Sequence, residues 1–419
     1  MHVFKFGGAS VKDAVGVKNL ERVLRKVGFE NTLIVISAMG KTTNALETVV
    51  GNYFNTKSEL QSSLQDVKKY HNAILLDLFD TDNEDAHPVF KKVAALFDEL
   101  RSFFDRNKSP DYNFVYDQTI GYGELVSTLI VSEYLNLVGI GNKWLDVREC
   151  IKTDNYYRRA NVNWEASQRA INSKMTSGVL NITQGFLGSD DNNFTTTLGR
   201  EGSDYTAAIF AYSLNAENVT IWKDVPGVLN ADPRYFENAQ LLNKISYREA
   251  IELAFYGASV IHPKTLQPLQ QKEIPLFVKS FQDPEQAGTR VGKGHGIDPM
   301  IPCFIVKKQQ VLISLSSLDF SYIVEENISE IFKLLHLYKM KVDVIQNSAI
   351  SFSVCVDNIY NNLPNLLQHL KAKFKVTCHE NVSLYTIRHY NSDAIAQLEI
   401  DKTILLKQLT QETVQMVTQ

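Results

Sequence analysis

The chain has 419 residues, 44% hydrophobic, 21% charged and 10% aromatic, and that apolar share is too high for a disordered protein. Lys+Arg 43 against Asp+Glu 47 gives a formal net charge of -4, which lacks the basic excess of a nucleic-acid binder or a polybasic membrane protein. The length predicts two to three domains at roughly 150 residues each, with a full hydrophobic core and no need of staples.

In chain order, residues 2–6 (HVFKF) and 32–36 (TLIVI) read as short strands, each running into a glycine-containing loop. A helix between them, within 11–28, ends at Gly28. This β–loop–α–β–loop order predicts a mostly parallel sheet covered by helices. Residues 57–106 carry apolar residues at i, i+3 and i+4 spacing, broken by TDNEDAHP near 80–88, and predict a helical excursion of at least two helices. Strands follow at 142–147, 178–184 and 218–222, with a hairpin at 185–198 turning through GSDDNN. Ser246 with Glu249 forms a capping box for a helix over 246–256 that closes at Gly257, and IPLFV (274–278) is a strand.

The stretch 288–296 (GTRVGKGHG) holds four glycines and no apolar run, and reads as a linker. Beyond it the expected order is strand 311–316, helix 325–337, strands 341–347 and 349–356, helix 361–372 and strand 374–379, a ferredoxin-like βαββαβ unit. Strands at 383–388, 403–409 and 413–418 follow without helices of their own, and are expected to complete a sheet from another part of the chain or from another subunit.

The chain contains no GxxxxGK(S/T), no HExxH and no GxSxG, and Gly121-Tyr122-Gly123 lacks the third glycine of a dinucleotide fingerprint. What it does contain is a set of glycine-bearing loops at strand ends. Lys5-Phe6-Gly7-Gly8-Ala9-Ser10 places a lysine in an apolar strand ahead of two glycines, a design suited to a phosphate and equally compatible with a surface lysine. Ser37-Ala38-Met39-Gly40-Lys41-Thr42-Thr43-Asn44 has the same design. In Thr195-Thr196-Thr197-Leu198-Gly199-Arg200-Glu201-Gly202-Ser203-Asp204 an arginine sits inside a Gly-x-x-Gly turn, where its fork suits a carboxylate. Ser203 and Asp204 read as ligand groups or as a plain helix cap. Glu124 is placed at the start of a helix, as a ligand or as a dipole-stabilising carboxylate. Lys223-Asp224-Val225-Pro226-Gly227, then Asp232-Pro233-Arg234, present charges on turns after a strand, a frequent ligand contact in open α/β sheets. The nine histidines are dispersed, and His262 before Pro263 reads as structural.

KFGGAS, SAMGKTTN, GELVS, TTLGREGSDYTA, WKDVPGV with ADPR, and FYGASVIHP occur in the order found in aspartate kinases, members of the amino-acid kinase family, and the resemblance spans roughly residues 3–290. It implies an α/β/α sandwich kinase domain with a mostly parallel central sheet over 1–290. A ferredoxin-like ACT-type regulatory or dimerisation region would follow over 300–419, its second ACT unit shortened. The implied activity is phosphoryl transfer from MgATP to the β-carboxylate of L-aspartate, the first step of the aspartate-derived amino-acid pathway. Lys5 and Asp204 would be catalytic, and Lys5, Gly7, Gly8, Ser10, Lys223, Asp224, Arg234 and Ser259 would contact ATP. Ser37, Thr43, Glu124, Arg200 and Ser203 would hold aspartate, with Glu124 on the α-ammonium and Arg200 on the α-carboxylate. No protein metal site is implied, the magnesium being held mainly by ATP and water.

Several positions depart from the family pattern. Ser259 stands where many relatives have a lysine, and Lys223 where a threonine is frequent, so Lys223 is expected to replace part of the lost charge. Glu201 replaces a small or neutral residue and is expected to point to solvent. Ser316-Ser317-Leu318-Asp319-Phe320 lacks a glycine, and Ala349 occupies a glutamate position, which leaves the effector open: lysine, threonine or none. The expected partners are aspartate, MgATP, an amino-acid effector and a second copy of the chain, with no nucleic acid and no membrane. Scattered Cys150, Cys303, Cys355 and Cys378, and an N-terminus without an apolar run, predict reduced thiols and a cytoplasmic setting. Two alternatives stay open: an amino-acid kinase for a different carboxylate, and a catalytically silent amino-acid sensor.

Overall fold

The computed structural model describes every residue except Ala86, Ser177, Ser259, Val260 and Phe320. The chain divides into two compact units: Met1–Val228 with Leu241–Ile251 and Val260–Ile297, and Leu229–Gln240 with Glu252–Ser259 and Asp298–Gln419.

The first unit begins β1 (His2–Phe6), α1 (Ala14–Val27), β2 (Thr32–Ile36), α2 (Thr42–Asn55), α3 (Leu60–Leu78), α4 (Pro88–Arg106) and α5 (Tyr112–Leu137). It continues with β3 (Asn142–Leu145), α6 (Trp164–Lys174), β4 (Leu180–Gln184), the hairpin β5 (Leu187–Ser189) and β6 (Thr195–Thr197), α7 (Gly202–Leu214) and β7 (Asn218–Lys223). Then come β8 (Lys244–Ser246), α8 (Tyr247–Tyr256), which passes into the second unit at Glu252, α9 (Pro263–Gln271), β9 (Leu276–Ser280), β10 (Thr289–Gly292) and β11 (Ile297–Asp298).

The main sheet runs β11-β8-β10-β9-β7-β1-β2-β4-β3, and the strands at its centre are parallel to their neighbours. β2 (TLIVI) is buried at all five positions, as a strand covered on both faces must be. Strand side chains alternate between faces. Phe4, Phe6, Ile34, Ile36 and Trp222 join a core with α1 to α5, so Val3, Lys5, Val35 and Ile221 turn to the opposite face. There α7, whose Ala207, Ala208 and Ala211 are fully buried, lies against β1, β2 and β7. α1 closes at Gly28, as expected, and is opened by Asp13, which accepts the Gly16 N–H at 2.8 Å.

Two expectations fail in this unit. The linker read at 288–296 contains β10, which pairs parallel with β8 and antiparallel with β9, with Val291 fully buried. Gly288 marks a close backbone approach: at φ +69°, a Cβ there would lie 2.2 Å from the Val278 carbonyl oxygen. Glu124 does not start a helix either, because α5 runs unbroken from Tyr112 to Leu137. Gly121 and Gly123 are packing notches within it, Gly121 against Leu187 and Thr195, Gly123 against Ala38 and Thr42.

The second unit holds β12 (Cys303–Ser316), α10 (Glu325–Leu337), β13 (Val342–Asn347), β14 (Ser351–Val356), α11 (Leu363–Lys371), β15 (Lys375–Arg388), α12 (Ser392–Glu399), β16 (Ile404–Leu409) and β17 (Thr413–Thr418). Its six-stranded sheet has the order β13-β14-β12-β15-β17-β16. The C-terminal half of β12, β13, β14 and the first half of β15, with α10 and α11 packed on them, make the expected ferredoxin-like lobe. The tail departs from expectation. β15 is one long strand where two were read, and both β12 and β15 continue past a bulge into a second lobe with β17 and β16. A helix also belongs to the tail: α12, capped by Asn391, packs Ala394 and Leu398 onto Tyr385, Ile387, Val414 and Met416. The tail strands thus complete a sheet begun by the same chain. Among the described residues no helix is long and apolar enough to cross a membrane, and no disulfide joins the four cysteines.

Candidate active site

Because β1, β2, β4, β7 and β9 run in one direction, the loops after Phe6, Ile36, Gln184, Lys223 and Ser280 emerge along a single edge of the sheet. The first two loops are laced together. The Ser37 N–H donates to the Phe6 carbonyl at 3.1 Å, the Gly40 N–H donates to the Gly8 carbonyl at 3.0 Å, and Ser10, buried, donates its N–H to Gly7 at 2.9 Å. Gly8 allows no side chain, since a Cβ there would stand 2.5 Å from the Ala38 carbonyl oxygen.

Lys5 is in the middle of the sheet and only 9% exposed, which removes the surface-lysine reading. Its ammonium lies 2.6 Å from Asp204 Oδ1, an ion pair set off the axis of a hydrogen bond. Asp204 occupies the first turn of α7, so the alternation that sends Lys5 to the α7 face also delivers its partner. A Cβ on Gly7 would stand 3.5 Å from the same ammonium, so the glycine loop and the cation share one spot. Neither Ser203 nor Asp204 caps the helix: its N-cap is Glu201, in the left-handed conformation at φ 54° with no side-chain cap bond. Ser203 is nearly buried, seated on Gly185, where a Cβ would stand 2.4 Å from the Ser203 hydroxyl.

Glu124, on α5, is 3% exposed. Its Oε1 receives one long hydrogen bond, from the Ala38 N–H at 3.4 Å, and its Oε2 is buried with no partner. Burial pushes its carboxyl up to about 8, the Ala38 bond offsetting only part of the loss of water. An unpartnered buried carboxylate oxygen is costly unless a cation fills the place beside it. Ser37 and Thr43 are half-buried on either side of this loop in sequence: the Ser37 carbonyl accepts the Ser127 hydroxyl at 2.8 Å, and Thr43 lies in the first turn of α2.

Arg200 is exposed on the turn between β6 and α7, closed by the Gly202 N–H on the Gly199 carbonyl at 3.0 Å. Glu201 departs from expectation, since its Oε2 is buried without a partner instead of facing solvent. Its αL backbone, imposed by the tight turn, carries the side chain back toward α9. His262 feels both Glu201 and Arg200, yet its ring caps α9, Nδ1 accepting the Lys264 N–H at 3.2 Å, which is the structural role expected. Burial lowers its pKa.

The nucleotide candidates divide. Lys223, half-buried, and Asp224, exposed, follow β7 on the same edge as Lys5. Arg234 belongs to the second unit, where its guanidinium is held by Asp232, with Nη2 2.6 Å from Oδ2. Ser259 lies outside the described residues. Sequence reasoning missed Lys279, which faces Trp222 on the neighbouring strand with its ammonium 5.8 Å from the ring, and whose pKa burial lowers. Nor did it single out Asp117 and Gln118, both of which hydrogen-bond β6. A carboxylate and an amide inside a helix have no local signature.

A family model for the amino acid kinase family matches residues 1–280. Lysine-sensitive aspartokinase 3 of Escherichia coli is 30% identical over 397 residues, 92% of this chain and 86% of that protein. Aspartokinase 1, chloroplastic, of Arabidopsis thaliana is 31% identical over 366 residues, 85% of this chain and 63% of that protein. Among solved structures, E. coli aspartokinase III in complex with lysine and aspartate (T-state) superposes with a TM-score of 0.83 at 28% identity, covering 100% of this chain and 95% of that one. The same enzyme with aspartate and ADP (R-state) gives 0.79 at 27%, covering 100% and 96%. With the Lys5–Asp204 pair, the laced glycine loops and the Glu124 socket arranged on one sheet edge, these matches place the chain in the amino-acid kinase family, among the aspartokinases.

Proposed function

We propose that the chain transfers the γ-phosphoryl group of MgATP to the β-carboxylate of L-aspartate, giving 4-phospho-L-aspartate and ADP. The observation that carries the reading is Glu124: a buried carboxylate with one oxygen unpartnered, beside the loop that bears Ser37 and Thr43, is a socket for a small ammonium. Arg200, seated across the Gly199–Gly202 turn from Ser203, grips the α-carboxylate, and Ser203 adds a hydroxyl. A substrate held at both charged ends presents its β-carboxylate outward. That group is ionised at neutral pH, so its attack needs no general base, and alignment with charge neutralisation supplies the catalysis.

Lys5 meets the transferred phosphoryl group, and Asp204 holds its ammonium in place until phosphate oxygens compete for it. Gly7 and Gly8 bring backbone N–H groups close to the phosphates, and the N-terminus of α7 adds its positive end. Ser10, Lys223 and Asp224 extend the nucleotide side along the sheet edge. Among the described residues no three His, Cys, Asp or Glu side chains gather to hold a metal ion. Magnesium would arrive on the nucleotide, held by phosphate oxygens and water, and would neutralise phosphate charge.

The second unit serves regulation and association. β13 and β16 are the edges of its sheet, and open edges favour pairing with a second copy. The lysine complex of the E. coli relative supports an amino-acid effector.

The test is ADP release from MgATP with a panel of amino acids, together with hydroxamate trapping of the acyl phosphate. Aspartate should be the substrate that turns over. Turnover with another carboxylate but not aspartate would make this a different amino-acid kinase. Intact ATP binding without any turnover would make it a sensor.

A further inference from the structure

α5 carries two buried carboxylates, Asp117 and Glu124, seven residues apart and therefore on one face, about 10 Å apart along the axis. Glu124 points at the Ala38 loop. Asp117 points at the strand that leads into the arginine turn, and accepts the Thr197 N–H and the Thr197 hydroxyl at 2.8 Å each. Its two oxygens also share the Arg158 N–H, at 3.1 and 3.0 Å. Gln118 beside it pairs with Thr195 in both directions, its amide donating to the carbonyl at 2.8 Å and its oxygen accepting the N–H at 3.1 Å.

β6 is only three residues long, and its outer edge is finished by these two side chains in place of another strand. The arginine turn begins two residues later. It leans on the segment that Asp117 also holds: a Cβ on Gly199 would lie 3.3 Å from the Arg158 carbonyl oxygen, and the Ala160 N–H donates to Thr197 at 3.0 Å. Asp117 therefore ties down both the strand under Arg200 and the wall beside it.

We propose that Asp117 is a positioning residue for Arg200, with α5 acting as a ruler that fixes the distance between the ammonium socket at Glu124 and the carboxylate grip at Arg200. The inference rests on the assignment of those two grips to aspartate. The notches at Gly121 and Gly123 serve the same end, because they seat α5 against the β5–β6 hairpin on one side and the Ala38 loop on the other. Asp117 never touches substrate. What it sets is how strongly the enzyme prefers an amino acid whose α-carboxylate is charged.

The experiment compares kcat/KM for aspartate and for aspartate α-amide, which keeps the β-carboxylate and the ammonium but loses the α-charge, in the wild type and in Asp117→Asn. Wild type should prefer aspartate at least tenfold. In Asp117→Asn that preference should shrink at least fivefold, with the KM for aspartate rising about tenfold and the KM for ATP changing less than twofold. An equal loss on both substrates, or no loss on either, overturns the proposal and leaves Asp117 a structural residue. Thr197→Val, which removes the hydroxyl donor and keeps the backbone bond, is the second variant. It should shrink the same preference by a smaller factor, and an unchanged preference there overturns the proposal even if Asp117→Asn fails to fold. Absence of wild-type turnover with aspartate would instead refute the assignment of the substrate, and this inference with it.

Discussion

Glu124 faces a choice that pH decides. In the free enzyme its carboxyl is raised to about 8, so at neutral pH it is mostly protonated, and an α-ammonium must displace that proton to be bound by a carboxylate. Aspartate binding should release protons near neutrality, and its KM should rise as pH falls below about 8, by up to tenfold per unit. Glu124→Gln should flatten that profile and raise the aspartate KM by roughly 10²-fold, the scale expected for losing a buried charge-assisted contact. Because the folded-state value lies above the unfolded one, folding takes up a proton. The contribution of Glu124 to stability therefore falls as pH rises from about 4.5 to about 8. Glu124→Gln should melt higher than wild type, by a margin that grows across that window, and a melting difference independent of pH would contradict the assignment. Lys223 invites a simpler test. Lys223→Thr should raise the KM for ATP several-fold if its cation replaces the one lost at position 259, and an unchanged KM would count against that. At this scale the sequence was most legible where a residue breaks a local rule, as with Lys5 in an apolar strand or Arg200 inside a glycine turn. Asp117 breaks none, being one more polar residue in a long helix, and only the folded contacts reveal it.

The elements that were read correctly are those whose signals are local. α1 with its end at Gly28, α10 at its full length, and the hairpin after Gln184 all carry their own caps or turns. The misread ones depend on distant partners. The glycines of the 288–296 stretch looked like a linker because they signal permissiveness in sequence, whereas in space Gly288 is pressed against the Val278 carbonyl. The same ambiguity moved Glu124 to a helix start, since Gly121 and Gly123 look like helix breakers until the hairpin and the Ala38 loop are packed against them. Gly185 is the sharpest case of a glycine fixed by a neighbour. Gly185→Ala would drive a methyl to within 2.4 Å of Ser203 and push α7 away from the end of β4. It should cost about 1–3 kcal/mol of stability as an overpacking change. It should also lower kcat/KM for aspartate more than the affinity for ATP, because Ser203 shares its turn with Arg200. Denaturant melts and steady-state kinetics on the purified variant check both numbers. Equal losses for the two substrates would mean that Ser203 is not on the amino-acid side.

For the whole molecule, the ferredoxin-like lobe was legible because its βαββαβ order is short-range, whereas the return of Leu229–Gln240 and Glu252–Ser259 to the second unit has no local signal. The fusion of two lobes through β12 and β15 was not legible either. Each strand passes through a left-handed residue, Gln309 at φ 57° and Asn381 at φ 56°, which reads in sequence as an end and in space as a bulge. The proposed site lies along the edge of the main sheet where five strand-end loops emerge. The most direct measurement is a crystal structure of the protein with aspartate and a non-hydrolysable MgATP analogue. The expected result has the α-ammonium about 3 Å from Glu124 Oε2, the α-carboxylate forked on Arg200, and Lys5 on the terminal phosphate with the β-carboxylate facing it. Aspartate bound away from Glu124 and Arg200, or a terminal phosphate out of reach of Lys5, would contradict it.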